Sequence, residues 1–300
     1  MAVQQVRVQI NGTWHTLTYN GTSGKYEKTI TAPTITSYNQ TGGYYPVTVE
    51  ATDDHGNVAT DTSARLTVKE VTKPVINITS PASGAYVINN KQPIVFTLRD
   101  EANGSGINLS TLSLKIDGGT SIGSGSAGMV CTQVANGYDC TYTPQAALSD
   151  GSRTVTVNVS DNDSNVATQK STTYTIDTIP PVLNVTAPVD TLKTNIAACN
   201  VVGSTNDTTS SPVVVTVKLN GTDQGTVTVD GSGNFNKAIT LASGNNTIIV
   251  RATDAANKYT EITRTVSLNT VAPVISNIAI TPNPADVGTS ITVSCTVTDA

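Results

Sequence analysis

Three hundred residues suffice for two or three domains, and a formal charge of -5 excludes the basic face that nucleic acid requires. Aromatic residues make up only 4 % of the chain, with two Phe and one Trp, so several small cores in series fit better than one large core. No run of about 18 apolar residues occurs, which excludes a membrane-spanning helix.

The amino terminus, "MAVQQVRVQINGTW", carries no basic leader, apolar stretch or small-residue cleavage site. The expectation is synthesis in the cytoplasm and release by lysis. "VRVQINGT" at 6–13 alternates as a strand and runs into Asn-Gly, the strongest short hairpin signal. Val6, Val8 and Ile10 share one face of that strand. Trp14 follows the turn, where it serves either as an exposed contact residue or as a local lid. "PVTVEATDDHGN" follows, a strand that ends at an acidic turn, and then a proline-marked joint, "TKPVINITSP".

The same grammar repeats along the chain. "LSLKIDGG" and "VTVKLNGT" are further hairpin starts; "TVTVNVSDNDSN" and "TIIVRATDAANK" are further strands ending at acidic turns. "TIPPVLNVTAP" and "VAPVISNIAITP" are further joints, in which proline begins a strand that needs no amide donor. The joints delimit units at 1–72, 73–179, 180–271 and 272–300. The two complete ones have the size of a sandwich of seven short strands. In the third unit the strands fall at about 182–187, 196–202, 213–219, 225–229, 234–241, 246–252 and 259–268. The fold class is all-β, a tandem of sandwiches.

Cys131 and Cys140 flank "TQVANGYD". A four-residue loop sets them face to face for a disulfide; a two-residue loop puts them out of register. Cys199 and Cys295 read as core residues, and none of the four has zinc spacing.

The "VEATDDHGN" hairpin at Val49 to Asn57 and the Pro-Val joint openings resemble bacterial immunoglobulin-like repeats, and the whole chain is similar to Ig-like virion proteins of phages from gut Firmicutes. The resemblance implies tandem Ig-like β-sandwiches, an extracellular or virion location, and adhesion or virion structure as the setting.

Aligned at one constant offset, Val6, Val8, Asn11, Gly12, Gly24, Lys28 and Ile30 match Val215, Val217, Asn220, Gly221, Gly233, Lys237 and Ile239. The first unit therefore spans strands C to G. Likewise Pro273 and Asp299 match Pro74 and Asp100, so the tail spans strands A and B. The expectation is a split domain: Val274, Ile275, Ile278, Ile280, Val287, Ile291, Val293 and Val297 of one copy meet Val6, Val8, Ile10 and Trp14 of another, giving a head-to-tail filament. Two plainer readings stand beside it: a chain cut at a convenient point, and a self-sufficient first unit with the tail pairing elsewhere on a particle.

His15 and His55 sit in no nucleophile or metal constellation, so no enzyme is expected. No cofactor is expected either. The acidic turns "DDHGN", "RDEANGSG" and "SDNDSN" offer the oxygen ligands that calcium prefers, and calcium at a domain joint is the minor reading; they lack the spacing of an EF-hand loop, and turn formation accounts for them without metal. Equal melting in calcium and in EDTA is the corresponding expectation. The competing function is an adhesin or virion decoration module whose loops bind host-surface or mucus glycan. The partners expected are other copies of the chain, other virion proteins, or such a glycan.

Overall fold

A computed structural model describes residues 2–299 and divides after Ile176 into two compact units. All regular structure among the described residues is strand, apart from two 3-10 turns at Ser37–Asn39 and Thr41–Gly43. Among the described residues no helix is long and apolar enough to cross a membrane.

The first unit opens with β1 (Val3–Ile10), β2 (Thr13–Asn20), β3 (Lys25–Glu27), β4 (Tyr45–Asp53), β5 (Val58–Asp61) and β6 (Arg65–Leu66). These form one sheet, ordered β3-β2-β1-β4-β5, with β6 paired to β4. Asn11 and Gly12 turn β1 into β2 with φ of 49° and 75°, the positive pair that a two-residue hairpin turn demands.

β7 (Val75–Ser80), β8 (Ala85–Val87), β9 (Ile94–Arg99), β10 (Ile107–Ile116), β11 (Met129–Val134), β12 (Gly137–Tyr142), β13 (Gly151–Asp161) and β14 (Lys170–Ile176) follow. They make a sandwich of two sheets, β11-β12-β9-β7 and β10-β13-β14-β8. Strict alternation along β9 and β13 points Ile94, Phe96, Leu98, Val155 and Val157 inward, all fully buried.

The second unit repeats the plan with β15 (Val182–Ala187), β16 (Leu192–Thr194), β17 (Ala198–Asn206), β18 (Val214–Leu219), β19 (Thr222–Val227), β20 (Asn234–Thr240), β21 (Gly244–Thr253) and β22 (Tyr259–Leu268). Its sheets are β15-β17-β20 and β16-β22-β21-β18-β19, closed over Val201, Val215, Val217, Phe235, Ile248 and Val250; with the sheet β1–β6 counted first, β7–β14 is the second sandwich of the chain and β15–β22 the third. β23 (Val274–Thr281) and β24 (Thr292–Thr298) then form a two-stranded sheet by themselves. The chain is thus all-β, with tandem Ig-like sandwiches.

The hairpin β11–β12 corrects one piece of loop geometry. Its loop has two residues, Ala135 and Asn136, and Cys131 still pairs directly with Cys140. The turn sits one residue earlier than the Asn-Gly signal suggests, with Asn136 at φ 57°, so the register survives. The two cysteines are joined by a disulfide, with their Cα atoms 4.1 Å apart. Replacing both by Ser is expected to cost about 2.5 kcal/mol, from the closure of a loop of roughly ten residues. The non-reduced peptide is expected two hydrogens lighter than the dithiol; alkylation of both thiols without reductant, in extracellular protein, would refute the bridge.

Candidate functional site

An apolar face in water is the most unusual feature of the second unit. Register along β23–β24 pairs Ile275 with Val297 and Ile280 with Val293, and a bulge between Ser276 and Ala279 brings both isoleucines to one face. Cys295 lies between the two valines on that face. Ile275, Val293 and Val297 are 61 %, 63 % and 58 % exposed. Val274, Ile278, Ile280, Val287 and Ile291 are exposed as well.

The aligned positions of the second sandwich show what such a face does when covered. β7 and β9 carry the same bulge, and Ile76, Leu98 and Ile94 there are buried. A two-stranded sheet is marginal in water without such cover.

Among the described residues no second sheet is packed on the first. Val6, Val8, Ile10, Leu17, Val47 and Val49 lie on one face by register, yet only Val6, Val8 and Tyr45 are buried apolar residues in this part of the chain. In the third sandwich the corresponding layer is built on β20, which pairs along its whole length with β17, from Ala198–Thr240 to Ser204–Asn234. The equivalent segment of the first sheet, residues 25–31, pairs only over Lys25–Glu27, and with β2. Residues 28–31 belong to no strand. Tyr26, which aligns with the buried Phe235, is 36 % exposed. An open pocket of about 350 Å³ lies here, lined by Ile10, Thr13, His15, Ile30, Pro33 and Leu66.

The residues expected to act together divide in two ways. Val6 and Val8 are already 9 % and 8 % exposed, so any added layer meets Ile10 and the open pocket more than these two. Trp14 lies opposite Gln9, on the other face from Val6, Val8 and Ile10, because its neighbour His15 is the residue opposite Val8. Its ring is covered by the Arg7 guanidinium at 4.2 Å, and Arg7 is held by Glu50 at 2.6 Å. Trp14 is a locally capped residue, outside the apolar face.

The acidic turns also divide. Asp53, Asp61 and Asp230 accept amide hydrogens from their own turns, which holds their carboxyls below the ordinary range; the Asn57 side chain leads at Asp53 and backbone amides lead at the other two. His55 sits exposed against Asp54 at 2.8 Å.

Two further groups do something a turn does not require. Glu70, Asp100 and Asp161 bring carboxylate oxygens within 4.8 Å of one another, and so do Asp177, Asp207 and Asp254. Burial first, and then the neighbouring Glu101 carboxyl, push Glu70 up to about 7 and Asp100 up to about 6. Asp254 is pushed up by burial and by the charges of Asp177 and Asp207. Sequence spacing did not reveal these groups, since their members come from three separate stretches.

Comparison with known proteins locates the sandwiches. Residues 74–157 match the bacterial Ig domain family. Residues 181–270 match the model described as Glucodextranase, domain B. No curated protein matches the chain. Among solved structures, the CbhA fibronectin(III)-like modules of Clostridium thermocellum align with 16 % identity over 65 % of this chain and 94 % of theirs, at a TM-score of 0.40. Sidekick-1 immunoglobulin domains 1–5 align with 13 % identity over 98 % of this chain and 60 % of theirs, at 0.39.

Proposed function

We propose that the chain is a non-enzymatic structural subunit that assembles head to tail, β23–β24 of one copy adding to the first sheet of the next. The observation that carries this reading is the apolar face of β23–β24. At Ile275, Val293, Cys295 and Val297 it repeats the positions that the second sandwich buries as Ile76, Ile94, Phe96 and Leu98. The acceptor is the segment 25–31, with β24 lying along it as β17 lies along β20. Backbone pairing supplies affinity in such strand addition, and alternate side chains supply register. A contact of this kind does not close on itself, so copies continue into a filament. The setting, an extracellular filament or a phage virion appendage, follows the resemblance of the sequence.

Negative-stain microscopy of purified protein tests this. Threads that lengthen with protein concentration are the expected result. Separate short rods at every concentration would refute it, and would favour the adhesin reading if the rods also retain mucus glycan.

A further inference from the structure

We infer that the chain holds two calcium sites, one at the entrance of each complete sandwich: Glu70, Asp100 and Asp161 form the first, and Asp177, Asp207 and Asp254 the second. The two are built alike. Glu70 and Asp177 each stand four residues before the joint proline, Pro74 and Pro181. Asp100 and Asp207 directly follow β9 and β17. Asp161 ends β13, and Asp254 directly follows β21. In each, three carboxylates from three separate stretches converge within 4.8 Å.

Convergence of acids alone identifies nothing. A second observation does: each group contains a buried carboxylate oxygen with no hydrogen-bond partner. Asp100 is 8 % exposed; its Oδ2 accepts the Gly106 amide at 2.7 Å, and its Oδ1 has no partner. Asp254 is 5 % exposed; its Oδ1 accepts the Lys258 amide at 2.8 Å, and its Oδ2 has none. Glu70 repeats the pattern, with Oε1 on the Ser105 amide at 2.6 Å and Oε2 given no donor, since what faces it is another carboxyl, Glu101, whose Oε2 is unsatisfied too. A buried acceptor is normally satisfied, and a buried charge is normally paired. Here no side-chain cation does this: the ion pairs of the described residues are Arg7–Glu50, His55–Asp54, Arg99–Asp139, Arg153–Asp117 and Arg251–Glu261.

The surroundings fix the carboxylates for a ligand. Asp161 is held from both sides by Asn165, through the backbone amide at 2.8 Å and the side-chain amide at 2.7 Å. Asp177 accepts from the Ile179 amide and from the Ser210 hydroxyl, and Asp207 accepts from the amides of Thr209 and Ser210. Gly104 closes over the first site so tightly that a Cβ there would meet Glu70 Oε2 at 2.7 Å and Asp100 Oδ2 at 2.8 Å. Every donor atom is oxygen, with no His or Cys in either group, which selects a hard cation; three protein carboxylates suit calcium better than magnesium, which is usually held by one or two and keeps several waters. The exposed group Asp53–Asp54–His55 lacks the second feature and is left as a turn. This inference replaces the expectation of equal melting in calcium and EDTA.

The test is calcium titration of the full chain after chelation, at pH 7.5, with magnesium as control. Two ions per chain are expected, with affinities up to about 10⁻⁴–10⁻³ M as in extracellular modules. Asp100→Asn and Asp254→Asn are each expected to bind one, and the double variant none. Saturating calcium should raise the melting temperature of the sandwiches by about 5 °C or more over EDTA, and magnesium should not. No calcium bound by the native chain at millimolar concentration would overturn the inference. So would two ions still bound by the double variant. Mass spectrometry of the native chain under non-denaturing conditions counts the ions without relying on a variant that folds.

Discussion

A chain lacking residues 272–300 is expected to remain monomeric. A chain carrying the same segment in front of Met1, through a short Gly/Ser linker, is expected to be a monomer with a higher melting temperature. The magnitudes explain why both are needed. Seven apolar residues at about 1.5–3 kcal/mol each, discounted by roughly half because they are only half exposed, offer on the order of 5–10 kcal/mol. Association of separate copies consumes about 4–15 kcal/mol of that. Contact between copies is therefore marginal and dependent on concentration. Linking the segment in cis removes most of the association cost, because a short flexible linker supplies an effective concentration in the millimolar range. Sedimentation and thermal melts of the two chains decide the matter. Assembly by the deletion, or a permuted chain that melts no higher than the deletion, would make the complementary ends a coincidence.

The elements of the third sandwich were legible because polar turns punctuate them. Asn220-Gly221, the Asp230–Gly233 stretch and the Asp254–Asn257 stretch each set a boundary that tertiary packing had no cause to move. Boundaries failed where polar residues continue a ladder. β17 runs on through Gly203, Ser204 and Thr205, which look like a turn, because β15 and β20 pair with it from both sides. β19 starts at Thr222, three residues earlier than expected, since the Asn-Gly turn needs no more than two residues. The three-residue parallel strands β8 and β16 carry no alternation to detect.

The site was legible in part, for the same reasons. The apolar residues of the tail follow from period-two alternation alone. Trp14 did not, because a single residue decides which face a side chain takes. The carboxylate groups were hidden by distance along the chain: Glu70, Asp100 and Asp161 share no local spacing. A signal did exist, in that β9 and β17 both run into Asp while an acid stands four residues before the joint proline that opens each sandwich, Pro74 and Pro181. It appears only when the repeats are stacked, and turn chemistry conceals it in any one of them.

Phe235→Ala is expected to destabilise the third sandwich by about 3–5 kcal/mol, and to do so in a way coupled to Gly203. Phe235 is 3 % exposed and lies directly opposite Gly203 in the β17–β20 ladder. Gly203 has no side chain because two neighbours occupy the space. A Cβ there would meet the Asn184 carbonyl oxygen at 2.2 Å and the Phe235 ring at 2.6 Å. Gly203→Ala must push the ring out of the core or lift β15 off the sheet, a cost of about 2–3 kcal/mol. With the ring gone, the added methyl has space on one side and partly fills the cavity, while the Asn184 carbonyl still resists. The double variant is therefore expected to lose about 1 kcal/mol or more less than the sum of the singles. Scanning calorimetry of the full chain isolates the affected transition, which Phe235→Ala alone should lower by roughly 12 °C or more. Strictly additive losses would show that ring and glycine are independent, and that the bare backbone at Gly203 has another cause.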